Sequence, residues 1–441
     1  MNKSEKTVGK ALDAAWNRVS AAASMERWLA VCAKEGWGTF PEKIHLLAMV
    51  FGASWYFTRL IFFRGLEAAK YFDQPFPDVY TVESLMPKLC QAGRKNGLEE
   101  NFDALRSSKN EAMLQILIAH LAGKLDLAGT EKALTCLAEA TLKCALEIIF
   151  RESGFPGEDA AVLAMGRMAG REMNFGSDLD LIFLYSGNSQ VDATAMVRQV
   201  QMLLRQIALP TPCGILYDID MRLRPHGTSG TLITPAPYFV EYHRQDRPIW
   251  ERQMMTRCRP AIDERGLARQ SLEAIIPAIY GDHDVDCLRT EILQMRRRVE
   301  DELGNPGGKY EIKRGRGGIM DIDFLAHFLQ LAHGSRQPEL RTPGTREALD
   351  LCRMAGLLNE RQYADLYGAY NHLKRIEMCL RLVDLKNISA FSRNPEDLYA
   401  LARGMGFRDK NPDRAACDFL EDYEQTVRRV REHFTAVVGE P

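Results

Sequence analysis

Asp178 and Asp180 stand one residue apart at the head of an apolar run that ends at Tyr185. Side chains alternate faces along an extended strand, so both carboxylates point the same way, with Cα atoms about 6–7 Å apart. Two like charges held that close repel unless a cation sits between them. Mg²⁺ takes oxygen ligands and is usually held by one or two carboxylates plus substrate phosphates, so the pair reads as a metal site for a nucleotide. An Asp-x-Asp tripeptide is common and by itself needs no metal; its setting singles this one out. Another apolar run, ending at Gly166, precedes it, and the loop between the two runs holds Gly170, Asn174, Gly176 and Ser177. Glycine lets backbone N–H groups approach an anion, and a serine hydroxyl adds a hydrogen bond.

Two further stretches carry charged residues in patterned positions. Gly214 to Arg224 reads as a strand followed by a turn at residues 225–230, and two-residue alternation then puts Asp218, Asp220, Arg222 and Arg224 on one face. That face is either a solvent-facing ribbon of ion pairs or a third carboxylate, Asp220, with two guanidinium clamps for phosphate. Residues 310–324 place Gly315, Gly317 and Gly318 among basic residues ahead of a helix whose first turns carry Asp321 and Asp323. A glycine-rich basic helix entrance is suited to an anion; the alternative is a plain loop followed by acids that complement the helix dipole.

The elements that must hold these residues fall into three parts. Up to about residue 150, apolar positions recur at helical spacing in 11–31, 46–71, 85–90, 112–125 and 134–150, with breaks at 73–78 and 154–157. The aromatic group Trp55, Tyr56, Phe57, Phe62 and Phe63 reads as helix packing. From 160 to about 245 the pattern is α+β, with strands on either side of a helix over 193–208. Beyond 245 helices return over 267–279, 286–303, 319–333, 345–355, 360–383, 395–403 and 413–438. The fold class is therefore α+β and mostly helical, a small mixed sheet flanked by helices on both sides of the sequence. The expected division is 1–155 helical, 156–265 core and 266–441 helical.

Composition narrows the partners. A chain of 441 residues with net charge −2 and a pI near 6.5 carries no global field toward nucleic acid or an anionic membrane, so neither is expected. Ten cysteines are scattered without a C-x-x-C pair and read as small buried hydrophobes in a reducing compartment. The N-terminus lacks the apolar stretch of a secretory signal, and the most apolar segment, 46–58, is too short to span a bilayer. A cytoplasmic location is the expectation.

Taken together, Gly166–Phe183, Gly214–Gly230, Trp250 to Arg252 and Ile312–Phe324 resemble, in order and spacing, the bacterial glutamine synthetase adenylyltransferase/adenylyl-removing enzymes of the nucleotidyltransferase superfamily. The resemblance implies a nucleotidyltransferase core in which Asp178 and Asp180 hold Mg²⁺, or Mn²⁺ in its place, and Asp220 completes the carboxylate set. It implies ATP as substrate, with Gly166, Gly170, Gly176, Ser177, Arg222 and Arg224 at the nucleotide. It also implies glutamine synthetase as protein substrate and a PII-type signalling protein as a regulatory partner. Members of the family typically carry two such units, one attaching AMP to a tyrosine and one removing it. Gly214–Asp220 and Met320–Phe324 look more like the transferring half, Glu172–Phe175 and Trp250–Arg252 somewhat more like the removing half. An acid at Asp321 disfavours free phosphate as co-substrate and points to transfer; removal on the same fold is the alternative, and a non-catalytic nucleotide-binding module is another. Ala169 in place of a glycine and Gly176 in place of a serine depart from the family pattern.

Overall fold

A computed structural model of the chain describes residues 3–37, 43–73, 76–77, 79–92, 95, 97–153, 159–187, 192–409 and 411–440. The break expected at 154–157 lies outside them, as does part of 73–78. The N-terminal part is helical: α1 (Lys3–Ala14), α2 (Arg18–Glu35), α3 (Ile44–Ala53), α4 (Trp55–Arg64), α5 (Ala69–Asp73), α6 (Val82–Ala92), α7 (Leu98–Leu121) and α8 (Leu127–Ser153). Two runs that periodicity alone reads as single helices are split by caps. The Asn17 side chain accepts from Ser20 N to start α2, and the Ser54 hydroxyl accepts from Phe57 N to start α4.

The sheet follows: β1 (Ala160–Met165), β2 (Leu179–Tyr185), β3 (Ile219–Asp220), β4 (Ile233–Pro235) and β5 (Cys258–Ile262). β1 lies antiparallel between β2 and β5, while β3 and β4 run parallel to β2 along its other edge. The short helix α9 (Gly166–Ala169) opens the loop from β1 to β2, and α10 (Ala193–Ala208) crosses from β2 to β3. Between β4 and β5 stand α11 (Ala236–Arg244) and α12 (Ile249–Met255), which the sequence reading does not separate. The chain then runs through α13 (Leu267–Ile279), α14 (Val285–Leu303), α15 (Ile319–His333), α16 (Thr345–Met354), α17 (Glu360–Leu382), α18 (Pro395–Met405) and α19 (Pro412–Val437), with a two-strand ribbon of β6 (Tyr310–Glu311) and β7 (Ala390–Phe391).

The sheet is covered on both faces. Val162, Ala164, Leu179, Leu181 and Phe183 join a core built mainly by the N-terminal helices, whereas Ala161, Leu163, Met165, Ile182 and Leu184 join a second core built by the later helices. Strands buried on both faces read as continuous apolar runs, and β1 is buried along its whole length. No helix among the described residues is long and apolar enough to cross a membrane.

Two expectations need correction. The strand expected over 214–224 contracts to Ile219–Asp220, because the Asp220 carboxylate accepts from Arg222 N at 2.8 Å and turns the chain. Asp218, Asp220, Arg222 and Arg224 therefore do not share a strand face. The aromatic group is only partly packing: Phe57 is buried and Phe62 stacks on Phe51, but Trp55 and Phe63 are exposed, with Arg59 and Arg64 over their respective rings.

Candidate active site

Asp180 lies in β2, in parallel register with Asp220 of β3, and Asp178 immediately precedes β2, where Leu179 N donates to Asp218 O. Leu179 is buried in the N-terminal core, so alternation turns Asp178 and Asp180 to the opposite side. One carboxylate oxygen from each of Asp178, Asp180 and Asp220 lies within 4.8 Å of the other two. Burial, and then the charges of Asp178 and Asp220, push the Asp180 carboxyl up to about 7, with Lys313 opposing the rise. Asp220 moves the other way: its bond to the Arg222 side chain, which reaches it through Nε at 2.9 and 3.0 Å, holds it below the usual carboxylate range. Three acids converge here with one guanidinium, a donor set that fits a hard divalent cation.

Gly166, at the end of β1, belongs to this site. Its φ is +55°, and a Cβ built there would stand 2.5 Å from Asp180 Oδ2. Gly166→Ala is expected to cost activity by displacing the Asp180 carboxylate. The check is a metal titration: the variant should need more Mg²⁺ for half-maximal activity than the wild type.

The other residues expected at a nucleotide make the following contacts within the chain. Gly170 faces Arg257, the Pro343 carbonyl and Glu172, so its missing side chain makes room for a salt-bridge network. Gly176, with φ +63°, lies against the backbone of Leu385. Ser177 is buried; its hydroxyl accepts from Asn174 N at 2.9 Å and from Arg381 Nη1 at 3.1 Å. Arg224 donates to the carbonyls of Met221, Thr228 and Gly230 and so fixes the loop after β3. The polar side-chain groups of Ser177 and Arg224 are thus engaged within the chain, and the two glycines let neighbouring groups pack close. Arg222, three-quarters exposed, stays at the mouth of the site on Asp220.

Asp321 is the clearest departure. It is fully buried in the first turn of α15, paired with Arg296 of α14 and with Arg431 of α19 at 3.1 Å, and it accepts from Gly317 N at 2.9 Å. Its neighbour Asp323 is likewise paired, to Arg167 at 2.8 Å and Arg257 at 3.1 Å. Neither acid is placed to select a co-substrate, so the charge argument for the direction of reaction drops out.

Sequence reasoning misses the network behind the acids. Glu172 accepts from Arg257 at 2.6 Å and from the Tyr370 hydroxyl at 2.7 Å, and its other oxygen accepts from the N–H groups that open α16. Lys374 bridges Glu377 at 2.6 Å and Glu131 of α8 at 3.1 Å, and Arg381 joins Glu377 to Ser177. Burial alone would raise Asp323; Arg167 and Arg257 hold it well below the usual range instead. Lys313 is missed as a site residue as well. Burial, and then Arg167, depress its ammonium while Glu377 and, less strongly, Asp178 support it, and among the described residues it forms no ion pair. The basic glycine-rich stretch that carries it was the available signal.

Known proteins resemble the chain along the same lines. The family model described as glutamate-ammonia ligase adenylyltransferase matches residues 45–274, and one described as GlnD PII-uridylyltransferase matches residues 290–438. The bifunctional glutamine synthetase adenylyltransferase/adenylyl-removing enzyme of Chromobacterium violaceum is 31% identical over 362 residues, which cover 79% of this chain and 40% of that protein. The proteins of the same description from Burkholderia mallei and Aromatoleum aromaticum are 30% and 28% identical, over 70% and 80% of this chain and 34% and 38% of their own lengths. The chain thus spans about a third to two-fifths of the length of these relatives. With more than half of its residues matched by the first model, the chain belongs to the glutamate-ammonia ligase adenylyltransferase family.

Proposed function

We propose that this chain is a nucleotidyltransferase unit that moves AMP from ATP to a tyrosine of glutamine synthetase. The convergence of Asp178, Asp180 and Asp220 carries the reading. Mg²⁺ held by these three carboxylates would supply Lewis-acid stabilisation of charge on the phosphoryl oxygens. The rest is the work of the chain. A tyrosine hydroxyl, with an ordinary pKa near 10, gives up its proton to solvent and attacks the α-phosphorus in line, the bond from phosphorus to the bridging oxygen breaks, pyrophosphate leaves, and AMP stays on the tyrosine. Arg222 keeps Asp220 ionised and oriented, which suits Asp220 as a ligand better than as a proton acceptor. Lys313 and Arg222 are the cations at hand for the departing pyrophosphate.

Removal of AMP with phosphate as acceptor is the second reading. With Asp321 withdrawn into a buried pair, nothing acidic beyond the three ligands opposes free phosphate, and the same Lys313 would receive it. The likeness of residues 290–438 to a PII-uridylyltransferase supports a PII-type protein as regulatory partner. Two mixtures test the direction: unmodified glutamine synthetase with labelled ATP and Mg²⁺, and the adenylylated enzyme with phosphate and Mg²⁺. Label should enter the protein in the first mixture. ADP release in the second mixture, with no label entering the protein in the first, reverses the assignment.

A further inference from the structure

Far along the sequence from the three aspartates, α6 and α8 bring a different donor set together. Cys90, Cys144 and Glu147 each offer one ligand atom, and these atoms lie within 4.8 Å of one another. Cys144 and Glu147 are three residues apart on α8, so they share a helix face. On α6, Met86 and Cys90 are four apart and share the face that meets it. Cys144 Sγ lies 3.7 Å from Met86 Sδ, and Cys90 Sγ lies 3.6 Å from Glu147 Oε2.

The Cys90–Glu147 spacing is close to the one a tetrahedral metal imposes. Zinc bonds of about 2.3 Å to sulfur and about 2.0–2.2 Å to a carboxylate oxygen set the two about 3.5 Å apart, and Cys144 Sγ completes the triangle within 4.8 Å of both. We propose that Cys90, Cys144 and Glu147 form a zinc site that clamps α6 to α8, with the Met86 thioether covering its inner side.

The donor chemistry selects the ion. Two thiols favour a thiophilic cation over Mg²⁺ or Ca²⁺, and the carboxylate favours zinc over cuprous ion. On binding, each thiol releases its proton to solvent and the metal takes the thiolate. Access is open from outside, since Glu147 is exposed and Cys90 half-buried, while Cys144 anchors the site in the core. The 53 residues between the two cysteines in sequence hide the pairing from any spacing motif.

The test uses the full chain, reduced and stripped of metal, then titrated with Co²⁺ and with Zn²⁺. Cobalt should give a near-ultraviolet thiolate charge-transfer band, absent from any all-carboxylate site, and zinc should abolish it. About one equivalent of zinc should survive desalting and raise the melting temperature. Cys90→Ser and Glu147→Gln, both at positions open to solvent, should lose the band and the retained zinc. Asp180→Asn and the double replacement of the exposed Cys287 and Cys417 by serine should keep both. A band that survives Cys90→Ser, retention of cuprous ion but not zinc, or no cysteine-dependent metal at all would overturn the proposal.

Discussion

Asp180→Asn should lower AMP transfer by about three orders of magnitude, the several kcal/mol that a correctly held metal contributes to a phosphoryl-type transition state. The metal-free protein should nonetheless melt at the same temperature or higher. An amide keeps the shape of the carboxylate and removes the repulsion from Asp178 and Asp220 that, after burial, raises Asp180. The sign of the pH dependence follows. A carboxyl whose folded pKa lies near 7, above its ordinary value near 4, favours the folded state at low pH, and that advantage is lost as pH rises through 7. Added Mg²⁺ should therefore raise the melting temperature of the wild type more at pH 8 than at pH 5.5, and that difference should vanish in Asp180→Asn. Retention of wild-type turnover in the variant would remove Asp180 from the metal site.

Asp321→Ala should be the most damaging single change to stability. It leaves Arg296, fully buried, and Arg431, nearly so, with Glu300 as their shared carboxylate, and it removes the acceptor for Gly317 N. Breaking a buried pair from one side costs about 3–5 kcal/mol, because the remaining charge loses compensation, and here two guanidiniums are left to one carboxylate. Chemical denaturation should report that loss as a lower midpoint. If the variant instead unfolds like the wild type and loses only its turnover, Asp321 acts on the reaction and its place in a structural pair is wrong.

Much of the architecture is legible before any coordinates. Helices over 193–208, 267–279 and 319–333 have the bounds that their apolar spacing sets, because each is long, amphipathic or strongly apolar, and bounded by clear stops. That Asp178, just before β2, and Asp180, within it, face the same way follows from alternation alone. What fails is the extension of the same rule to 214–224, where alternation of residue types is present but a side chain bonding to its own backbone at Asp220 ends the strand. Asp321 fails for a different reason. Its position in a first helical turn is correct, yet its partners come from α14 and α19, and no local pattern records that convergence. The same holds for Glu172 and Arg257, which are 85 residues apart and meet at 2.6 Å. Gly170, Gly176 and Ser177 are conspicuous as a loop, but whether a loop turns its donors to a ligand or to the chain is decided by what packs on it. Here the end of α17 and the residue Leu385 beyond it do so.

The two-sided burial of β1 and β2 bears on how such a unit can be moved between genes. A rearrangement that carried the aspartates with only one helical layer would leave Leu181 and Phe183, or Ile182 and Leu184, facing water on the bare side. Exposed strands of that composition aggregate, so the smallest transferable cassette is the sheet with both layers. Recombination joints that preserve activity are then expected outside the outermost helices, and fusions made within the stretch from α6 to α17 should yield insoluble protein.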